Sequence, residues 1–421
     1  MTCLRALSCV CLALLLGACA GPTPLMLMST PVIYHQAAID PFAHLSPAEW
    51  VPDVALFYAT TRAPEGVGYG NRVSPTLQLG RAQVRLGDQQ SDWSQLHSAS
   101  VSELRARELP LSLIEAQQTA ILPVQRPVDV PLAPAVQSYV DAINLALDKA
   151  RDKEIIIYVH GAKVDFANAC ELTGELVHFA GRDFVGLAFD WPSHQNIASY
   201  LLGIDVNRAR DSSQALAQLI ELLARHTAAE RINLIAYSAG GRVASLALQA
   251  FQNRHPDLNT AQLQARYRIG AVVFAAADVP EEVFEGRLPA ISRVAEQVMI
   301  TVSDQDEALD YAQRLMPGGA RIGSSRAEQS LHQFTRRRHL NNVTLLDVSG
   351  NSSERGFDIV GHHYWYRHPW VSSDVILLLR TNLPPDQRAL SVTEHPAVWY
   401  MNTDYPLTVR EATRRVLKGQ W

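Results

Sequence analysis

Ser238 stands where an apolar run, residues 232–236, gives way to a helical pattern over residues 242–253 that Pro256 ends, with small residues two positions to either side, Ala236 and Gly240. A strand, one abrupt turn and a helix in that order form a nucleophile elbow. The turn holds the serine strained with its hydroxyl exposed, and small neighbours let strand and helix approach closely. Glycine is usual at both flanking places, so Ala236 is a departure by one methyl group. A serine hydroxyl is a weak nucleophile until a histidine takes its proton and a carboxylate orients that histidine. Attack on a carbonyl also creates an oxyanion, which needs two donors near 3 Å.

A second feature lies upstream. The apolar run 155–159 ends in His160-Gly161-Ala162-Lys163, a strand end opening into a loop of the kind that supplies one oxyanion donor, while the residue after the nucleophile supplies the other. The expected donors are therefore the amides of Ala239 and of Ala162 or Lys163. His160 precedes the serine, whereas the order in this architecture is serine, acid, histidine. It is expected to fix the loop rather than to carry a proton. Trp191-Pro192-Ser193 follows another apolar run, and Trp191 fits a pocket wall or the core equally. His362, His363 and His368 cluster without a His-Glu-x-x-His helix, so neither metal nor other cofactor is expected.

These residues need a scaffold. Apolar runs at 155–159, 184–189, 232–236, 269–276, 298–302 and 343–348 alternate with helix-length segments. Continuous runs separated by helices mean strands covered on both faces: a mostly parallel sheet with helices on either side. Residues 136–147 repeat apolar side chains at helical spacing ahead of the first of these runs, and strand-like stretches lie earlier, at 54–59 and 77–86.

At the start of the chain, Arg5 precedes an apolar run of 11 residues, 6–16, too short to cross about 30 Å of hydrocarbon. It ends in Leu16-Gly17-Ala18-Cys19, the pattern of a secretory signal followed by a lipid-modified cysteine. Cys19 would become the first residue of the mature chain, anchored by acyl chains at roughly 0.8 kcal/mol per buried CH₂. Three of the five cysteines would leave with the signal, and Cys170 would then lack a partner. That excludes a disulfide framework and a thiolate zinc site. The net charge of −5, or −6 once Arg5 is removed, gives no general attraction to nucleic acid.

Together these stretches resemble the bacterial α/β-hydrolase family catalogued as domain of unknown function 900. The matching segments are Phe57-Tyr58-Ala59-Thr60-Thr61-Arg62 with Gly80-Arg81-Ala82, His160-Gly161 with Phe166-Ala167, Trp191-Pro192-Ser193 with Tyr200, the elbow, Ala275-Ala276-Ala277-Asp278, residues 303–309, and Gly361-His362-His363-Tyr364. The resemblance implies an α/β-hydrolase fold with Ser238 as nucleophile, Asp306 as acid and His362 as base. Asp278, at another strand end, is the alternative acid, and His363 the alternative base.

The expected organisation is a signal peptide over 1–18, a proline-rich tether over 19–48, and a strand-rich segment over 49–134 packing on the core. A catalytic domain over 135–385 and an extension over 386–421 follow. The expected activity is that of a lipid-anchored serine hydrolase acting on small-molecule or lipid esters in the bacterial envelope, at the periplasmic face of the outer membrane. An amidase or thioesterase on the same triad, and a non-catalytic envelope protein that keeps the fold, are the competing readings.

Overall fold

The computed structural model describes residues 24–37, 39–66, 68–125, 130–349, 362–394 and 397–417. The segment carrying Arg5 and Cys19, and Gly361 before the paired histidines, lie outside the described residues.

Among the described residues one sheet of 11 strands organises the chain. Inside it lies β4 (Glu154–Val159), flanked by β5 (Val185–Asp190) and β6 (Arg231–Tyr237). On the β6 side follow β7 (Ile269–Ala275), β8 (Ala295–Val302) and β9 (Val343–Asp347), all parallel. The fold class is α/β, a mostly parallel sheet with helices on both faces. Alternation within β4 shows why every central strand reads as apolar throughout. Ile155, Ile157 and Val159 enter one core with helices Pro134–Lys149, Ile204–His226, Gly240–Arg254 and Glu281–Val294. Ile156 and Tyr158 enter the opposite core with helices Phe166–Phe179 and Pro369–Thr381. Successive strand side chains point to opposite faces, so two cores demand an unbroken apolar run.

The N-terminal part is bound more closely to the body than a tether would be. The segment expected over 49–134 places Phe57, Leu79 and Leu122 in the first core and Leu56 and Val84 in the second, and it does so as added strands of the same sheet. β1 (Asp53–Glu65) pairs parallel with β5, and β2 (Gly68–Leu86) and β3 (Leu111–Pro123) continue it antiparallel. β1 thereby becomes an interior strand, with Ala59 fully buried.

The described residues of 24–45 are not the free tether expected there, since Leu27, Ile33 and Tyr34 are buried in the second core and Phe42 is buried against Trp93 and His178. The prolines prevent helix or strand periodicity there, but isolated apolar side chains still bury when a complementary surface exists. Polar contacts fix the strap as well: Glu175 accepts the Met28 N–H at 2.7 Å, and Arg105 donates to the carbonyl of Leu27 at 2.7 Å.

The extension also joins the body. β10 (Ser391–Val392) and β11 (Val398–Tyr400) edge the sheet beside β9, and helix Tyr405–Leu417 buries Tyr405 and Val409 in the second core. Cys170 is free and buried. Among the described residues no helix is long and apolar enough to cross a membrane.

Candidate active site

Every parallel strand of the sheet presents its carboxyl end to one edge, and the loops leaving that edge carry the residues singled out above. Ser238 terminates β6 with φ of 51°, in the left-handed region that costs a side-chain-bearing residue energy. Its amide donates to the Ala275 carbonyl at 2.9 Å, and its carbonyl accepts from Gly241 at 3.0 Å and Asp278 at 3.1 Å. The strained turn is thus held from both sides.

Gly240 is required by close approach. A Cβ there would lie 2.3 Å from the Val159 carbonyl oxygen and 2.7 Å from that of His160. Ala236 is fully buried and its methyl group is accommodated in the core, which is why the departure at this place is tolerated.

Three side chains expected to act together lie in hydrogen-bond sequence. His362 Nε2 is 2.8 Å from Ser238 Oγ, and His362 Nδ1 is 2.7 Å from Asp306 Oδ2. Since a carboxylate only accepts, Nδ1 carries the proton toward Asp306 and Nε2 faces the hydroxyl as an acceptor. Asp306 follows β8 and caps helix Glu307–Leu315, where its Oδ1 accepts the Leu309 N–H at 3.0 Å. The cap fixes the carboxylate, and the helix N-terminus favours its negative charge. Tyr237 packs its ring 5.2 Å from that of His362, and its hydroxyl donates to the His362 carbonyl at 3.4 Å.

The alternatives go elsewhere. The His363 ring lies against Tyr237 and Tyr366, at 6.2 and 5.7 Å. His368 Nδ1 accepts the Trp370 N–H at 3.2 Å, capping helix Pro369–Thr381. Asp278 is 1 % exposed and sits in an ion cluster, accepting from the Tyr200 hydroxyl, 2.7 Å from Arg321 Nε and 3.4 Å from Arg242. Burial alone would raise its carboxyl, but Arg242 and Arg321 outweigh that and hold it below the usual carboxylate range.

The loop after β4 touches Ser238: a Cβ on Gly161 would lie 3.0 Å from Ser238 Cβ. Among the described residues the amides of Ala239 and Ala162 donate to no other group. His160 is fully buried, with Nδ1 donating to the Gly161 carbonyl at 2.7 Å and Nε2 3.0 Å from Asp190. It therefore holds the loop, as expected. Trp191 belongs to the core; it is fully buried, stacks on His160 at 5.3 Å and donates from its indole to the His160 carbonyl at 2.7 Å.

Behind this loop stands a buried network that sequence reasoning missed. Asp190 accepts from Arg62 Nε at 2.9 Å and from the Thr60 hydroxyl at 2.5 Å, while Arg62 also donates to the Val164 carbonyl at 2.7 Å. Burial would raise the Asp190 carboxyl; Arg62 and His160 more than offset it and keep it low. The available signal was an acid directly after an apolar strand run, and an arginine ending the motif of the first strand. Their pairing, across 128 positions, had no local trace.

Among solved structures, the chain is similar to an inhibited esterase B from Lactobacillus rhamnosis, at 14 % identity and a TM-score of 0.32, over 54 % of this chain and 75 % of that one. It is also similar to a lipase-esterase related protein from Clostridium acetobutylicum, at 11 % identity and a TM-score of 0.29, over 55 % and 96 %. No curated protein matches it. A family model described as "Alpha/beta hydrolase of unknown function (DUF900)" matches residues 136–380, from the helix before β4 to the last turn of the helix after the paired histidines. The chain therefore belongs to this family of α/β hydrolases.

Proposed function

We propose that this hydrolase cleaves carboxylic esters through an acyl-serine formed on Ser238, and that it does so tethered to a membrane by lipid on Cys19. The observation that carries the chemistry is the continuous hydrogen-bond sequence Ser238 Oγ, His362, Asp306, with 2.8 and 2.7 Å separations, at a strained turn.

In this reading the Ser238 proton passes to His362 Nε2 as Oγ bonds to the ester carbonyl carbon. Asp306 holds the Nδ1 proton and stabilises the imidazolium. The amides of Ala239 and Ala162 receive the oxyanion. Collapse of the tetrahedral intermediate breaks the bond to the alkoxy oxygen, which leaves as the alcohol with the proton from His362. Water then repeats the sequence on the acyl-serine and releases the acid. The network of Arg62, Asp190 and His160 acts only by keeping the loop against Ser238. The carboxylic ester is preferred as substrate because an alcohol leaves more readily than an amine.

The test compares His362→Ala with His363→Ala in hydrolysis of p-nitrophenyl butyrate. The first should lose several orders of magnitude in kcat/KM and the second only a modest factor. The reverse ranking in folded variants, or no turnover by the wild type on esters, amides or thioesters, would overturn the reading, the latter in favour of a non-catalytic envelope protein. For the anchor, Cys19→Ser should move the protein from the membrane to the soluble fraction.

A further inference from the structure

On the outer side of the helix that follows the nucleophile turn there is a cavity of about 200 Å³ between helices Ile204–His226, Gly240–Arg254 and Glu281–Val294. Its surface is almost wholly apolar, with Val206, Leu246, Val279 and Val283 among the lining residues. Three arginines, Arg210, Arg242 and Arg287, complete the wall. The heads of Arg242 and Arg287 stand beside this surface, turned to Asp278, Tyr200 and Ser245; an apolar cleft with charged groups at hand is the composition of a ligand site.

Arg242 is balanced, since Asp278 and Tyr200 together outweigh its burial and hold its pKa above the usual value, so the cation short of a partner is Arg287. Asp278 is itself shared between Arg242 and Arg321. Arg287, half-buried, donates to the Ser245 hydroxyl at 2.8 Å and, among the described residues, forms no ion pair. Burial, and then the like charge of Arg242, push its pKa down to about 10. Arg210 lies at the rim, 65 % exposed, and among the described residues its side chain meets Asp211 at 4.0 Å and the Asn207 side chain. A half-buried cation short of a carboxylate is unfavourable unless an anion completes it, and guanidinia bind phosphate and carboxylate groups with paired N–H donors.

We infer that this cavity is a binding site for a small amphiphilic anion, a phosphate or carboxylate borne on a short alkyl or acyl chain. The anionic head is held by Arg287, beside Arg242, with Arg210 closing the rim, and the first carbons of the chain lie against Val206, Leu246 and Val283. The volume is below the ~300–1,000 Å³ of a drug-sized site, which limits the occupant to a head group and a few methylenes. The inference does not depend on Ser238 being the nucleophile.

Calorimetric titration of the full chain carrying Ser238→Ala, with hexyl phosphate as probe, tests it without interference from turnover. Saturable binding is expected, weaker by about tenfold or more in Arg287→Gln, since a charge-assisted hydrogen bond is lost. Val283→Asp should bind as poorly; Val283 is 43 % exposed, so the substitution adds a repelling charge at the rim without opening the core. Inorganic phosphate should bind more weakly than hexyl phosphate, and hexanol not at all. Near-ultraviolet circular dichroism checks that both variants are folded. Absence of saturable heat, unchanged binding in both variants, or hexanol binding as well as hexyl phosphate would overturn the inference. Flotation with phosphatidylcholine vesicles containing phosphatidic acid distinguishes the sources. Flotation lost in Arg287→Gln assigns a lipid head group, whereas hexyl phosphate binding without flotation assigns a free amphiphile; either upholds the site.

Discussion

Gly240→Ala isolates the role of backbone approach at the elbow. The new methyl carbon would lie 2.3 Å from the Val159 carbonyl oxygen and 2.7 Å from that of His160. Both are backbone atoms of β4 and its loop, so no side chain can swing aside. An ordinary carbon to oxygen contact needs about 3.3 Å, hence the helix start must retreat from β4 by about 1 Å. Ser238 is two residues away on that same turn, and its 2.8 Å contact with His362 must change with it. A misplacement of this size costs about 10²-fold in rate, and the strain costs about 1–3 kcal/mol in stability. The assay is kcat/KM for p-nitrophenyl butyrate together with urea denaturation. Gly286→Ala is the control: it lies within a helix with nothing within 4 Å of the added carbon, and it should gain about 0.5–1 kcal/mol with activity unchanged. Wild-type kcat/KM in folded Gly240→Ala would refute the argument that this contact sets the position of the serine.

Three further outcomes follow from the charges. Asp306→Asn should leave the fold intact and lower kcat by about 10⁴, because the His362 tautomer is no longer imposed. Asp278→Asn should instead strike stability, by about 3–5 kcal/mol in denaturant melts, because Arg242 and Arg321 lose their shared buried partner; equal stability with lost activity would return the acid role to Asp278. Glu175 makes a prediction about pH. Burial raises its carboxyl to about 8, against the opposing effect of the Met28 N–H and Arg105, while in the unfolded chain it titrates near 4.3. Between those values the folded state binds more protons. The contribution of this group to stability is thus fully present below about pH 4.3 and is lost as pH rises through about 8. Glu175→Gln should remove that decline, so its advantage over wild type grows from pH 5 to pH 8.5; parallel stability curves would exclude the buried carboxyl as the cause.

What could be read from the chain, and what could not, divides along the range of the interactions. Runs such as 232–236 announce buried strands because each residue must serve one of two cores, and the turn at Ser238 announces itself because its steric demand is met within five residues. Choosing Asp306 over Asp278 needed the acid's position after β8, and both stand at strand ends with nothing local to separate them. In the structure the two part by distant partners: Arg242 and Arg321 pair with Asp278, while Asp306 meets His362 at 2.7 Å. The same limit explains residues 24–45. Their prolines dominate any local reading, whereas their burial depends on Glu175 and Arg105, brought near only by the fold. Arg62 and Asp190 were visible as types but not as partners, because an ion pair between two strands leaves no periodicity.

The most direct test of the central claim is covalent labelling with a fluorophosphonate, read by intact mass and peptide mapping. The account predicts one adduct per chain, located on Ser238, formed rapidly in the wild type, slowed by orders of magnitude in His362→Ala and absent in Ser238→Ala. An adduct on another residue, or equal labelling of wild type and Ser238→Ala, would contradict it.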